Sequence, residues 1–535
     1  MSKTINSRLT GKITILVVVV LVGSVSASGK VIYVDVNAPG ADDGTSWENA
    51  YNYLQDALAD AGSAVKPIEI RVAQGTYKTD SNSTDPNVSG NRTATFRLIS
   101  GIEIKGGYAG YHAPESNVRH VDVYESVLSG DLNGDDGPSF TNYSENAYHI
   151  VTGDGNDPNT VLDGFSITGG NANGNEPYDR GAGIFADGVY LTVKNCKFTY
   201  NTAITNSGAF GIFNGAIVKI DSCLFAHNTS VRGGSTQIIN ATAHFNNCIF
   251  KNNSVLPNNG NPRPGGAIYN YGVVLTVSDC IFIANSSPWG AAIYHYPSGE
   301  SQQSLLVTNS VFIGNIDMKP AFGLYSAGAG IYVESGHYAD VLNCTFTENT
   351  AQYGAAIYVY RGSMTLTNSI LWNDQASSSG NEIYNTGSIT VSYCDVKGGW
   401  PGTGNINADP YFVDAAGGDL RLSAVSPCID KGINAVVPLG MTTDFDGHPR
   451  IVDGDCNDTE IVDMGAYEFN YAYMGDLDYN CSVDFFDFSI FGKAWMTQQG
   501  DSGWDWTCDL SDPTNDYIDW HDVAIICDNW LAQIP

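Results

Sequence analysis

Five oxygen-bearing side chains stand close together near the C-terminal end of the chain: Asp476, Asp478, Asn480, Ser482 and Asp487, in "GDLDYNCSVDFFDF". Ligands at positions 1, 3, 5 and 7 with a carboxylate at 12 surround one hard cation with oxygen, which is the spacing of a calcium loop. A looser set follows in "CDLSDPTNDYIDWHD", where Asp509, Ser511, Asn515, Asp519 and Asp522 are spread by extra residues around Pro513. Ca2+ is therefore the expected cofactor, with the first loop the better formed. That loop lacks the glycine usual at its sharp turn, position 6, where Cys481 stands.

The run from Phe485 to Trp495 continues the first loop as a helix, and Phe485, Phe488, Trp495, Trp520 and Trp530 indicate a packed module rather than a solvated acidic tail. The doubled loop–helix unit, residues 471–535, resembles the dockerin domain. That resemblance implies two calcium-binding units presenting a face to a cohesin-type protein. A Cys481–Cys508 bridge tying the two loops would then compensate for the missing glycine.

The middle of the chain is a repeat. "VKNCKFTYN", "IDSCLFAHN", "FNNCIFKNN", "VSDCIFIAN", "VTNSVFIGN", "VLNCTFTEN" and "LTNSILWND" recur every 25 to 34 residues, with "VSYCDVKGG" as a degenerate copy. A period of that size without helix-length amphipathic runs means stacked strands. Alternation at Leu191 and Val193 resumes out of phase at Cys196 and Phe198, so a corner falls at Lys194–Asn195. The corner slot holds Asn195, Ser222, Asn247, Asp279, Asn309, Asn343 and Asn368, mostly types that tolerate left-handed backbone. A second column, Asn201, Asn228, Asn253, Asn285, Asn315 and Asn349, calls for coils stacked in register, so that amides bond up and down the stack.

This is the pattern of an all-β, right-handed parallel β-helix of about a dozen coils, on the order of 60 Å long. Over residues 68–400 its F-x-x-N and G-G-A-I units ("FTEN", "FIAN", "GGAIY", "GAAIY") resemble the repeats of polymorphic outer-membrane proteins. The resemblance implies the fold, shared with pectate-lyase-like proteins, and little about activity. Cys196, Cys223, Cys248, Cys280, Cys344 and Cys394 share one inward column with Ser310 and Ser369, either as small buried residues or as disulfides between coils.

Lys3, Arg8 and Lys12 before the apolar run Ile13–Val22, then "VSASG", read as a signal peptide over residues 1–27. Export and an extracellular or cell-surface location follow, with no membrane span after cleavage. Residues 28–67 read as an N-terminal cap, with a helix opened by a Thr45–Glu48 capping box and burying Trp47, Ala50, Tyr51, Leu54, Leu58 and Ala61. Residues 401–470 leave the repeat and resemble the C-terminal cap of secreted β-helix proteins. A net charge of −32 repels nucleic acid and anionic membranes.

Polysaccharide is the expected partner, and the catalytic residues are unknown. The Gly-His-Gly and Arg-Ile-Lys segments of hydrolases on this fold do not occur. Arg263, Arg361, Glu334 and His337 are scattered lyase candidates, and His295 reads as structural. The positive feature is a pair of tyrosine columns, Tyr269, Tyr294 and Tyr358 with Tyr271, Tyr296 and Tyr360. If the preceding isoleucines point inward, both columns face outward, either to stack on sugar rings or to stack on one another. A glycan binder, a lyase or hydrolase, and a purely structural adhesin-like rod are the three readings.

Overall fold

The computed structural model describes residues 29–530 except 87–89, 154, 156, 257–262, 297–303, 319–324, 458, 470–474, 479–480, 499, 511–516 and 529. Residues 1–27, where a signal peptide is expected, lie outside the described residues. Among those described, no helix is long and apolar enough to cross a membrane.

Four sheets of parallel strands, with 12, 11, 8 and 10 members, run the length of the repeat. The chain visits them in turn. In one coil the strands are Tyr190–Lys194, Lys197–Thr199, Thr202–Asn206 and Phe210–Phe213, and Ile217–Asp221 returns to the first sheet beside Tyr190–Lys194. The fold is a parallel β-helix. One apolar core fills it from Ile32 to Val396.

The corner between the first two sheets is left-handed in every repeat, from Asn195 at φ 49° to Asn368 at φ 51°. Past it, Phe198, Phe225, Phe250, Phe282, Phe312 and Phe346 stack 4.5–4.9 Å apart. The second corner holds the buried asparagine column. Asn228 Nδ2 donates to Asn253 Oδ1 at 3.1 Å and to Phe198 O of the preceding coil at 2.8 Å, and its backbone N–H donates to the same Oδ1 at 3.1 Å. The pattern repeats through Asn349, which donates to Asp374 Oδ1 from its backbone at 2.8 Å and its side chain at 2.7 Å. The cysteine column consists of thiols, each donating to the carbonyl two residues earlier at 3.0–3.2 Å. Ser310 and Ser369 do the same with hydroxyls.

Helix α1, Leu54–Ser63, inserts Leu54, Ala57, Leu58 and Ala61 into the first end of the core. The Thr45–Glu48 capping box does not form. Tyr51 pairs with Val34 as an extended bridge, which holds the chain out of helix until Tyr53, and Thr45 Oγ1 donates to Asp43 at 2.6 Å instead. Trp47 packs on Tyr33 and Tyr108.

At the other end, Ile406 exchanges backbone bonds with Cys394 and Val396 of the last coil. The rest of segment 401–470 runs back along the flank. Asn309 Nδ2 donates to Thr443 O at 2.8 Å, Ile433 N to Asn368 Oδ1 at 2.8 Å and Ala466 N to Thr345 Oγ1 at 3.0 Å. Its pivot is the fully buried Arg450, which donates to Ala466 O at 2.9 Å and Gly465 O at 2.8 Å. The Asn343 amide, with its oxygen turned to the guanidinium, accepts from Arg450 at 2.6 Å.

The asparagine column ends on an acid pair. Burial, with the neighbouring carboxylate, pushes Glu382 up to about 10, and burial pushes Asp374 up to about 7. The folded state therefore holds protons that the unfolded chain releases near pH 4. Stability from this pair is fully present below about pH 4 and is lost as pH rises from there through the folded values, about 7 for Asp374 and about 10 for Glu382. Glu382→Gln, which keeps the shape and removes the charge, is expected to raise the Tm above neutral pH and flatten its decline. Thermal melts of both proteins across the pH range check this, and superimposable profiles would refute it.

Candidate functional site

The tyrosine columns occupy the outer side of the ten-stranded sheet. Tyr269, Tyr294, Tyr332, Tyr358 and Tyr384 are successive register partners, with ring centres 4.9–5.5 Å apart. The isoleucine before each points into the main core, while the rings gather in a separate cluster with Trp289, Ala327 and Tyr353. Arg232 lies over Tyr269 at 5.4 Å.

These rings are not exposed as the alternation suggested. Tyr332 is 2% and Tyr294 9% accessible, and Tyr269 and Tyr358 are buried too. Tyr294, Tyr332 and Tyr358 are each sandwiched between the rings of the coils on either side, and Tyr269 lies between Tyr294 and the Arg232 guanidinium. The accessible rim is Tyr296, 38% exposed, and Tyr325, 37%, with Tyr271, Tyr360 and Tyr384 half-buried. Trp289, Tyr325 and Tyr353 escape sequence reading because they lie outside the repeat columns.

The Tyr294 hydroxyl donates to Glu334 Oε2 at 2.7 Å. Burial, then the Glu334 charge, pushes the Tyr294 and Tyr332 phenols far up, so both stay neutral donors. Three of the scattered polar residues meet at the end of this band. His337 N donates to Glu334 O at 3.3 Å, Gly336 N to Arg361 O at 3.2 Å, and the Arg361 guanidinium lies 5.2 Å from the Tyr360 ring centre. The His337 ring meets Tyr296 edge-on at 5.5 Å, and burial lowers its pKa. Arg263 stands apart, its carbonyl accepting from Ser287 at 3.3 Å, and His295 is buried with its Nδ1 2.9 Å from Asn270 Nδ2.

The C-terminal module contains two matching loop closures. Asp487, at the start of helix α2 (Phe485–Ala494), accepts from Leu477 N at 2.6 Å, Asp478 N at 3.1 Å and Asp484 N at 2.7 Å. Asp522, at the start of helix α3 (Trp520–Asp528), accepts from Leu510 N at 2.7 Å and Asp519 N at 2.8 Å. Asp509 and Asp522 thus stand where Asp476 and Asp487 do, despite the longer intervening loop. Asp476, Asp478 and Asp487 offer carboxylate oxygens within 4.8 Å of one another. Such a set repels itself unless a cation lies among it, and its hard oxygens suit a hard one. Ser482 belongs to the same loop; Asn480, Ser511 and Asn515 lie outside the described residues.

The predicted Cys481–Cys508 bridge is replaced by Cys456–Cys481. Cys508 is a buried thiol packed with Leu477, Val483 and Phe491 inside the module, whereas Cys481 sits at the loop's turn with φ 66°, next to the flank segment. The turn that lacks glycine is thus tied to the β-helix side rather than to the second loop.

The architecture places the chain among parallel β-helix solenoids. The family described as the Chlamydia polymorphic membrane protein repeat matches residues 343–360, the stretch from one left-handed corner to Tyr360. Among solved structures the chain is similar to the crystal structure of pectate lyase Pel9A, at 16% identity and a TM-score of 0.40, covering 82% of this chain and 96% of that one. No curated protein matches it.

The band separates structural rings from accessible ones. Tyr294→Ala is expected to cost roughly 3–5 kcal/mol, as for a buried aromatic, and Tyr296→Ala within about 0.5 kcal/mol, as for a surface position. Denaturant unfolding of the two variants measures the difference. Equal losses would overturn the division.

Proposed function

We propose that this is an exported, extracellular β-helix protein that binds polysaccharide along the rim of its tyrosine band and is held in place by its C-terminal module. The observation that carries the reading is the rim of the band, where Tyr296 and Tyr325 are exposed and Tyr271, Tyr360 and Tyr384 half-buried outside the coil interior. Ring faces suit the C–H faces of sugars, and phenol, carboxylate and guanidinium groups suit their hydroxyls. The buried rings keep the rim rigid, so little side-chain freedom is lost on binding.

The module is read as a dockerin-like unit. Asp476, Asp478 and Asp487, with Asn480 and Ser482, would hold Ca2+ in the first loop, and the ordered loop would position α2 and α3 against a cohesin-type protein. The matched closures at Asp487 and Asp522 support this reading. A second reading, cleavage of the bound glycan, is favoured by the meeting of Glu334, His337 and Arg361 beside Tyr296 and Tyr360. New reducing ends or unsaturated products on incubation with glycan would establish it.

Aromatic contacts are worth about 0.5–1.5 kcal/mol each beyond burial, so Tyr296→Ala combined with Tyr360→Ala is expected to weaken glycan binding by about tenfold. Affinity electrophoresis against a panel of polysaccharides measures it, and unchanged mobility shifts would remove the rim from the site.

Calcium at about a hundredfold excess over its Kd is expected to stabilise the module's unfolding by ~2.7 kcal/mol. Asp478→Asn, at an exposed position, should abolish that gain while leaving melts in EDTA unchanged. A variant that still responds fully to calcium would count against the site.

A further inference from the structure

Asp317 breaks the rule of its column. Along the eight-stranded sheet its register partner in the preceding coil is Ser287, and the next two coils place Ala351 and Ala376 in the same row. Ser287 Oγ donates to Trp289 O at 2.8 Å, and Ser230, further down, donates to Arg232 O at 2.8 Å. Val255 stands between those two serines in the row, so the fold uses this position for an apolar side chain or for a hydroxyl that satisfies the following turn. A carboxylate has no hydrogen to give that turn. Asp317 is 7% exposed, and neither of its oxygens has a hydrogen-bond partner among the described residues.

The orphaned carboxylate lines a notch of about 290 Å³. Ser326, fully buried with its own Oγ unpartnered, lines the same notch. Thr350, Gln352, Gln375 and Ser377 complete a polar wall, and Ala351 and Ala376 supply an apolar one. A buried polar group left without a partner is costly, more so when charged, so two in one cavity point to a ligand that satisfies both. The volume corresponds to about ten waters at ~30 Å³ each, far more than an ion needs, and sits near the lower bound of small-molecule sites, about 300 Å³.

We propose that this notch is a subsite for one neutral sugar residue, whose adjacent hydroxyls donate to the two Asp317 oxygens. Its ring lies against Ala351 and Ala376, and Ser326, Gln352 and the outer hydroxyls and amides serve its remaining groups. Asp317 is the one ionisable side chain in the lining among the described residues. A uronate carboxylate would have to shed its hydration beside this buried acid, so the subsite selects uncharged glycan over acidic glycan. Burial favours the protonated form of Asp317, which still accepts through its carbonyl oxygen and donates through its hydroxyl.

The notch adjoins the aromatic rim. Ser326 follows Tyr325, Gln352 precedes Tyr353, and the Tyr325 ring lies 6.2 Å from Tyr353 and 6.3 Å from Tyr358. One sugar in the notch would thus extend onto the rings as a chain, so the inference rests on the glycan-binding reading and names its substrate class.

The test uses the full chain and Asp317→Ser, which restores the side chain that Ser287 shows the fold accommodates; Asp317→Asn serves as a second, isosteric variant. Binding of cellohexaose, mannohexaose and an oligogalacturonate is measured by calorimetry, alongside thermal melts. The wild type is expected to bind a neutral hexasaccharide at least tenfold more tightly than the oligogalacturonate. Both variants should lose tenfold or more on the neutral ligand, with a Tm equal to or above that of the wild type. Variants that bind like the wild type, or that lose binding only together with a collapsed melt, would overturn the subsite and leave glycan binding standing. So would a preference for the oligogalacturonate. A wild type that binds none of the three would overturn both.

Discussion

The structure depends on a hydrogen-bond problem at its second corner. Where the chain turns between sheets, a backbone N–H is buried with no strand beside it, and such groups must find a partner. The asparagine column supplies one, because each Oδ1 receives both the backbone N–H and the Nδ2 of the coil before it. The solution works only if consecutive coils stand in register. It fixes the distance from the first corner to the asparagine in every repeat, and the variable lengths fall elsewhere. The chain lengthens between Val255 and Ile268, between His295 and Ser304 and between Asp317 and Ile331, always beside the tyrosine-bearing sheet. A rigid three-sided frame therefore leaves one side free to diversify, and that side carries the aromatic band and the notch.

The same logic accounts for the buried acids. The last asparagine needs an acceptor above it, and Asp374 provides one at the price of a carboxylate that keeps its proton with Glu382. Asp317 fills no such vacancy. Arg450 shows a third arrangement, a buried cation whose bonds run mainly to backbone carbonyls and which fastens the flank segment against the corner at Asn343. In a chain of net charge −32, these interior sites differ in kind from the solvated acids outside, since each is tied to a particular neighbour by low-dielectric surroundings.

Repetition decided what could be read from the sequence. The left-handed corners, the inward direction of the cysteine column and the coil stacking were legible because one chemical requirement recurs in column after column, whereas the thiol state of those cysteines was not. Single-copy features were not. Thr45 and Glu48 have the spacing of a capping box, but the parallel bridge of Tyr51 to Val34, invisible in the local text, holds that stretch extended. Alternation gave the direction of the tyrosines and not their burial, which arises from the rings of neighbouring coils. Cys456 lies in a segment without repeats, so nothing in the spacing marked it as the partner of Cys481. Asp317 was hidden for a related reason: an acidic residue on a short strand is ordinary until its register partners are known.

The Cys456–Cys481 link has a mechanical consequence. A pull on the C-terminal module reaches the flank segment both along the backbone beyond Phe469 and, farther upstream, through the disulfide. Through the disulfide it enters the flank segment near Asp453. That segment is fastened to residues on several coils, at Asn309, Asn343, Thr345 and Asn368. Tension is thereby shared sideways across the rungs, loading their bonds in parallel, so the covalent strap converts a single tether into a distributed harness.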